Sequence, residues 1–435
     1  MGDFVYRAKK PPIFIRSYGP YLEDAKGDVY FDAEAANGAA LFGYDPHLLD
    51  EAVAKIRKMP SLPSFVESEL RLTVAEKIGK WMYSLTRARG RVSFELGGAQ
   101  AIELAAKIAL KTTGKSQFVV FEGGYHGRSA YASQLSASHR YRKTVGDWRI
   151  PVVRLPLPDY EQSEFPGTKA EWIKWYLHEV DTLLSNEARG LIDRTRSFDI
   201  AALIVEPVLN VAGMIMPDKE LFEGIVKRFK KVNALIIVDE IFTGFYRTGK
   251  PFGFCRYDIV PDMIVGSKGL TNGLAPLSFV WAANPLLDED HFPPGTHSAT
   301  FMNNVLGLAI ADGVLDRFAR WKSVEDDVRK LEKKLAATIA RMCASSPVFK
   351  NGYMHGGLGR IVLKKPIAAD VRKKALSLLP HMQNTAGKSK RANGILLAST
   401  GMAPDVINIH PPLNLTIGQI DELSELLMTL AHAYE

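Results

Sequence analysis

Short, wholly apolar runs alternate with longer amphipathic ones along most of this chain, the pattern of parallel strands buried on both faces and joined by helices. Phe118–Phe121, Ala201–Val205, Ala234–Val238 and Met263–Val265 are such runs and predict buried strands. Ala101–Thr112 places Ile102, Ala105, Ala106 and Ala109 at helical spacing on one face, which predicts a helix starting directly after Gly97-Gly98. An α/β sandwich follows. From Trp321 to Met342 the chain is amphipathic and charge-rich, while Lys364-Lys365-Pro366 and Gln383–Asn393 read as turns or mobile surface. This tail predicts a separate α+β part, and no internal repeat or low-complexity tract interrupts the pattern.

With 435 residues, 46% hydrophobic and 24% charged, the composition is globular and excludes disordered and fibrous classes. No apolar run approaches the roughly 18 to 20 residues of a membrane-spanning helix, and the opening MGDFVYRAKKPPIF lacks a signal peptide's apolar core. A cytoplasmic protein is expected. Met1-Gly2 would suit myristoylation only with Ser or Thr where Tyr6 stands. Cys255 and Cys343 are too few for a disulfide framework and lack metal-ligand spacing, so two reduced structural thiols and no metal site are expected. The net charge of +7 would suit nucleic acid, but its basic groups are scattered. The HRYRK cluster (Arg140, Arg142, Lys143), Lys364-Lys365, Arg372–Lys374 and Lys388–Arg391 therefore read as solvated surface.

Ligands in open parallel sheets sit beyond the carboxyl ends of the strands, so polar residues that close an apolar run are the candidates for chemistry. Phe121 runs into Glu122-Gly123-Gly124-Tyr125-His126-Gly127, Val205 into Glu206-Pro207, Val238 into Asp239-Glu240, and Val265 through Gly266-Ser267 to Lys268-Gly269. Each alone is ordinary: a lysine after a strand is usually on the surface, and Asp-Glu there is usually a cap or turn. Together they are the parts that pyridoxal 5'-phosphate (PLP) requires. Those are a lysine for its aldehyde, a carboxylate for its pyridine nitrogen, an aromatic ring to stack on and a helix N-terminus for its phosphate.

The ordered segments FELGGAQAIELAAKIA, FEGGYHGRS, IVEPVLNVAGMIMP, LIIVDEIFTGFYRTGKPFG, PDMIVGSKGL, ATFMNN and HPPLNLT resemble those of class III (omega/ornithine-type) aminotransferases of the fold-type I PLP superfamily. The resemblance runs from about Ile13 to Leu427. It implies a large domain with a mostly parallel seven-stranded sheet between helices, and a smaller α+β domain built from both termini. The expected boundaries are 1–62 for an N-terminal segment of the small domain, 63–318 for the PLP-binding domain and 319–435 for the C-terminal small domain.

Carried over by position, Lys268 resembles the Schiff-base lysine and Asp239 the partner of the pyridinium nitrogen, which makes these two the catalytic pair. Gly98 and Ala99 would offer backbone N–H groups to the phosphate at a helix start. Tyr125 would stack on one ring face and Ile241 press on the other, with Glu206 and His126 supporting them. For His126, a satisfied core histidine is an equally good reading. Thr300 matches a threonine that reaches the neighbouring subunit's phosphate, which implies a homodimer with shared active sites.

Several positions depart from the family. Gly97-Gly98-Ala99-Gln100-Ala101 stands where Ser-Gly-Ala-Glu-Ala is usual, Phe242 where many members carry glutamine, and Tyr44 where a histidine is usual. The consequential departure is Asn408, in the place of an arginine that clamps a substrate carboxylate, with Val211 where some members have the arginine's gating glutamate. Asparagine cannot replace a bidentate guanidinium. Either Arg128, Arg140 or Arg142 takes over, or a main substrate carries its amine far from any carboxylate, and the second is preferred.

The expected activity is therefore ping-pong transfer of an amino group from an amine or amino-acid donor to an aldehyde or ketone, in a biosynthetic setting. Small-molecule partners are expected, with no nucleic acid and no membrane. An aminomutase, racemase, epimerase or decarboxylase would use the same residues. A dinucleotide-dependent oxidoreductase is disfavoured because no G-x-G-x-x-G lies between a strand and a helix. Phe65, Asn37, Trp148 and Phe242 are guesses for pocket walls, with core packing the plainer reading of each.

Overall fold

A computed structural model describes residues 12–58, 61–143, 150–188, 190–192, 198–379 and 392–435. Trp148, Tyr6, the Met1-Gly2 pair and Lys388–Arg391 lie outside them.

Fifteen strands are found among the described residues: β1 Phe14–Tyr18, β2 Tyr21–Asp24, β3 Val29–Asp32, β4 Gly90–Glu95, β5 Gln117–Phe121, β6 Val152–Leu155, β7 Ile200–Val205, β8 Leu235–Asp239, β9 Met263–Gly266, β10 Ser278–Ala283, β11 Phe349–His355, β12 Leu358–Leu363, β13 Gly394–Leu396, β14 Ala398–Thr400 and β15 Ala403–Ile409. Seven form one sheet in the order β4-β10-β9-β8-β7-β5-β6. Only β10 runs against its neighbours; β9, β8, β7, β5 and β6 are parallel. The sequence anticipates an α/β fold with a mostly parallel seven-stranded sheet, and this is what forms.

Its four anticipated strands are apolar throughout because both faces are covered. Alternate side chains point to opposite faces, and the core divides accordingly. Val119, Phe121, Leu203, Val205, Ile236 and Val238 pack on one side, with Trp172 and Tyr176 of the Lys169–Leu183 helix and Phe222, Ile225 and Phe229 of the Lys219–Lys231 helix. Phe118, Val120, Ala202, Ile204 and Ile237 pack on the other, against Ile102, Ala105, Ala106 and Ala109. The last four lie on the anticipated helix, which spans Gly98–Thr113 and so starts three residues before the expected run Ala101–Thr112.

The N-terminal strands β1–β3 form a sheet with β13, whose parallel pairing to β3 joins the two ends of the chain. The remaining strands make a sheet of order β11-β12-β15-β14, backed by the Val324–Ser345 and Ile417–His432 helices. The amphipathic run from Trp321 thus begins as a cap: Trp321 closes the preceding Val305–Arg320 helix, and the new helix starts at Val324. Asn393, expected in a surface stretch, is buried, with its N–H bonded to Val29 O at 2.7 Å.

Candidate active site

The carboxyl ends of β9, β8, β7 and β5, adjacent and parallel, bring Lys268, Asp239, Glu206 and the Glu122–Gly127 turn to one edge. Asp239 and Glu206 are both buried there. Asp239 Oδ2 lies 2.8 Å from His126 Nδ1, and its Oδ1 accepts the Ile241 N–H at 3.1 Å. Glu206 Oε1 accepts the Tyr125 N–H at 2.7 Å. The His126 N–H donates to Ser136 Oγ at 2.9 Å, which in turn donates to Gly127 O at 2.9 Å. The turn that presents Tyr125 is therefore held by two strand ends and a serine.

Burial alone would lower the His126 pKa, but the hydrogen bond and charge of Asp239 outweigh it and the net shift is upward. An Nδ1–H donated to Oδ2 fixes the aspartate's orientation. Burial pushes Glu206 up to about 8, with Asp239 adding and His126 opposing. At Lys268 burial depresses the amine, and Asp239, Glu206 and Glu34 pull it back up only in part. A depressed lysine is a better nucleophile and base near neutrality. Lys268 opens a short 3-10 turn with φ +44°, and its Nζ stands 4.6 Å from the centroid of the Phe242 ring.

At the helix start, the first ladder bond runs from Ala101 N–H to Gly97 O at 3.0 Å, so the N–H groups of Gly98, Ala99 and Gln100 precede the ladder. The Gln100 side chain turns back to accept the Gly97 N–H at 3.0 Å, the half of a capping box that a glutamate would otherwise make. A Cβ on Gly98 would lie 2.7 Å from Ile241 Cδ1, and one on Gly127 would lie 2.6 Å from Ala99 Cβ. Gly98, Ala99, Ile241 and the Tyr125 turn thus meet around one space. The three donors and dipole of this helix start suit an anion, and Lys268 and Asp239 suit the ends of a PLP ring.

Tyr125 is half-buried and edge-on to Tyr141 at 5.5 Å. The Arg128 guanidinium covers Tyr141 at 4.6 Å and approaches Tyr125 at 5.7 Å. Of the other two basic candidates, Arg142 Nη2 donates to Ala137 O at 3.1 Å and Arg140 lies by the Gly401 turn. Asn408 is buried on β15, its Nδ2 bonded to Asn210 Oδ1 at 3.4 Å while its Oδ1 has no hydrogen-bond partner among the described residues. Val211 adds no charge beside it. Thr300 is exposed, next to a Phe301 that is 65% exposed. Phe65 is 88% exposed and Asn37 is also exposed, so neither is a core residue.

Phe242 is buried in a small cluster with Val208, Met214 and Leu358, as core packing would have it, with the Lys268 amine over its ring; its neighbours Gly38 and His410 were not foreseen. A Cβ on Gly38 would lie 2.7 Å from Phe242 Cε2, and the His410 ring meets Phe242 edge-on at 5.4 Å. Burial lowers His410 to about 3, with Arg247 and Lys268 pushing the same way, so it is neutral in the working range. The small-residue run Ala33–Ala40, broken only by Glu34 and Asn37, is the signal in the sequence that backbone comes close to something here.

The family model for class-III aminotransferases matches residues 5–430. The chain is a class III aminotransferase. It is 28% identical over 437 residues to a probable gamma-aminobutyrate transaminase 4 of Oryza sativa subsp. japonica, covering 96% of this chain and 86% of the relative. It is 25% identical over 418 residues to an acetylornithine aminotransferase of Streptococcus mutans serotype c, covering 94% and 93%. Among solved structures, an (S)-enantioselective omega-transaminase from Thermomicrobium roseum superposes with a TM-score of 0.85 at 20% identity, covering 99% of this chain and 96% of that one. An ornithine aminotransferase from Toxoplasma gondii, whose crystals show partial occupancy of PLP at the active site, superposes with a TM-score of 0.79 at 20% identity, covering 99% and 92%. This class III aminotransferase is accordingly a PLP-dependent enzyme acting on small amines and carbonyl compounds.

Proposed function

We propose that this enzyme transfers an amino group through Lys268, with Asp239 as the group that faces the cofactor's ring nitrogen. The acceptor is an aldehyde or ketone of a larger molecule in a biosynthetic pathway. The observation that carries the reading is the convergence of a depressed lysine, a histidine-anchored aspartate and an open helix start on one sheet edge. When bound, PLP supplies the aldehyde and a ring that accepts electron density from the substrate carbon.

Every other part falls to the chain. Lys268 Nζ takes a proton at the substrate carbon and returns it on the cofactor side, which its depressed basicity suits. Asp239 cannot rotate away because His126 and the Ile241 N–H hold both its oxygens. The first-turn N–H groups of Gly98 and Ala99 receive the phosphate. Ile241 and Phe242 exclude water from the reacting face. Glu206 acts at one remove, through the Tyr125 backbone.

The same reading makes the molecule a homodimer in which Thr300 serves the partner's site. Its exposure beside Phe301, and the bonds from Asn303 Nδ2 to Pro63 O (3.0 Å) and Val66 O (2.7 Å) flanking exposed Phe65, support a surface made to be covered. A cytoplasmic location is part of the proposal; no helix among the described residues is long and apolar enough to cross a membrane.

The test is the visible spectrum of purified enzyme while amines are added, with Lys268→Ala as control. Bleaching of the band at roughly 400 to 430 nm by an amine, and its return with an oxo compound, is the expected result. A band that persists while substrate is consumed would assign racemase or decarboxylase chemistry instead. A wild type without any band would end the reading.

A further inference from the structure

Asn408 and Val211 leave the place of the family's carboxylate clamp uncharged, yet a carboxylate elsewhere in the chain is near enough to Lys268 for the two charges to interact. It is Glu34, two residues beyond the end of β3. The chain there adopts a conformation that L-residues avoid: Ala35, Ala36 and Asn37 have φ of +46°, +52° and +58° in succession. Strain of this kind persists only where its surroundings impose it, and it collects at functional sites.

The surroundings are specific. Asp32 Oδ1 accepts the N–H groups of Glu34 (2.9 Å) and Ala35 (2.8 Å), and Ala33 O accepts the His410 N–H at 2.8 Å. Arg247 Nη2 donates to Gly38 O at 3.0 Å. Within the turn, Glu34 Oε2 accepts the Asn37 N–H at 2.9 Å and Glu34 O accepts the Gly38 N–H at 2.9 Å. Gly38 then packs so closely on Phe242 that a Cβ would lie 2.7 Å from Cε2 of the ring over which Lys268 Nζ stands. The turn and the amine thus share one aromatic neighbour, and the charges of Glu34 and Lys268 act on each other.

No ion pair engages Glu34 among the described residues. Its neighbour Arg247 is committed to the carbonyls of Gly38, His410 and Pro411, and Arg372 to Leu397 O and Ser399 Oγ. Burial pushes the Glu34 carboxyl up to about 7, with the Asn37 N–H, Lys268 and Arg372 opposing. A cation brought against it would relieve that cost, whereas a carboxylate would add to it.

We propose that Glu34 is a specificity-determining residue that receives a second ammonium group, so that the donor class is a diamine or polyamine and not an ω-amino acid. This rests on the transaminase reading of the same site.

The test uses the PLP-loaded enzyme at about pH 8.5, where Glu34 is ionised and a distal amine is still charged. Bleaching by α,ω-diamines of four to six carbons is compared with chain-matched monoamines and ω-amino acids. The best diamine should exceed the best monoamine in rate over apparent Kd by ~10-fold or more, the size of a charge-assisted bond, with ω-amino acids last. Glu34→Gln keeps an oxygen for the Asn37 N–H and removes only the charge. It should reduce the diamine-to-monoamine ratio by ~10-fold, in apparent Kd, and Glu34→Asp should restore part of it. A preference for ω-amino acids, or a ratio unchanged in Glu34→Gln, would overturn the assignment while leaving transamination intact. If no amine bleaches the band, the transaminase reading itself fails.

Discussion

Glu206 sits where two demands conflict: its oxygen must hold the Tyr125 N–H, and its charge must share a buried edge with Asp239. Because its pKa is raised to about 8 in the folded protein, the native state binds its proton more tightly than the unfolded chain does. The sign follows from linkage. The group's contribution is fully present below the ordinary carboxylate range and is lost as pH rises through about 8. Glu206→Gln has no such proton to lose. The melting temperature of the wild type relative to Glu206→Gln should therefore fall steadily between about pH 5 and pH 8, and a difference independent of pH would show that Glu206 is not buried beside Asp239. Glu206, Asp239 and Lys268 were legible because each ends an apolar run, and strand ends are where such sites lie. Glu34 and His410 were not. The place of the Glu34 turn and of His410 beside Phe242 depends on left-handed residues that alanines do not advertise, and on β15 arriving from the far end of the chain.

At the scale of one element, the start of the Gly98–Thr113 helix is a joint between backbone and Ile241. Gly98 needs no glycine for its dihedrals, since its φ is not positive, and alanine is the better helix former. What alanine lacks is room: its Cβ would press on Ile241 Cδ1 at 2.7 Å. Gly98→Ala should consequently leave the melting temperature unchanged or raised, yet weaken PLP binding by ~10-fold as Ile241 or the first turn is displaced. Adding Ile241→Val, which shortens the offending arm, should recover most of the affinity. Equilibrium titration of the apoenzyme with PLP checks both; a weaker double variant would mean that Gly98 matters for another reason. The elements themselves show where periodicity suffices. Strands covered on both faces and a helix with an apolar stripe were visible, whereas β4 (Gly90–Glu95), with exposed and half-buried positions at the sheet edge, has no such run. The helix start was set three residues late for a related reason, since Gly98-Ala99-Gln100 are chosen by the cap and the cavity, not by the core.

In the whole molecule, one chain alone does not obviously make a complete site. Lys268, Asp239 and the helix start lie together, but Thr300 is exposed on a surface that also presents Phe65 and Phe301. In a two-fold dimer the same patch serves both chains, so each site would combine one chain's lysine with the other's threonine. Lys268→Ala and Thr300→Asp should each be inactive, the first for want of the nucleophile and the second because a carboxylate would face the phosphate. Mixed, dissociated and reassociated, the two would form hybrid dimers in which one site carries both defects and the other neither. Random reassortment makes half the dimers hybrids, so activity should return to about a quarter of wild type. A self-contained site has no such route, because every chain in the mixture is then defective. Return of activity with chain exchange, followed by size-exclusion chromatography, would place Thr300 in the partner's site; a mixture that stays inactive although hybrids have formed would return the whole site to one chain.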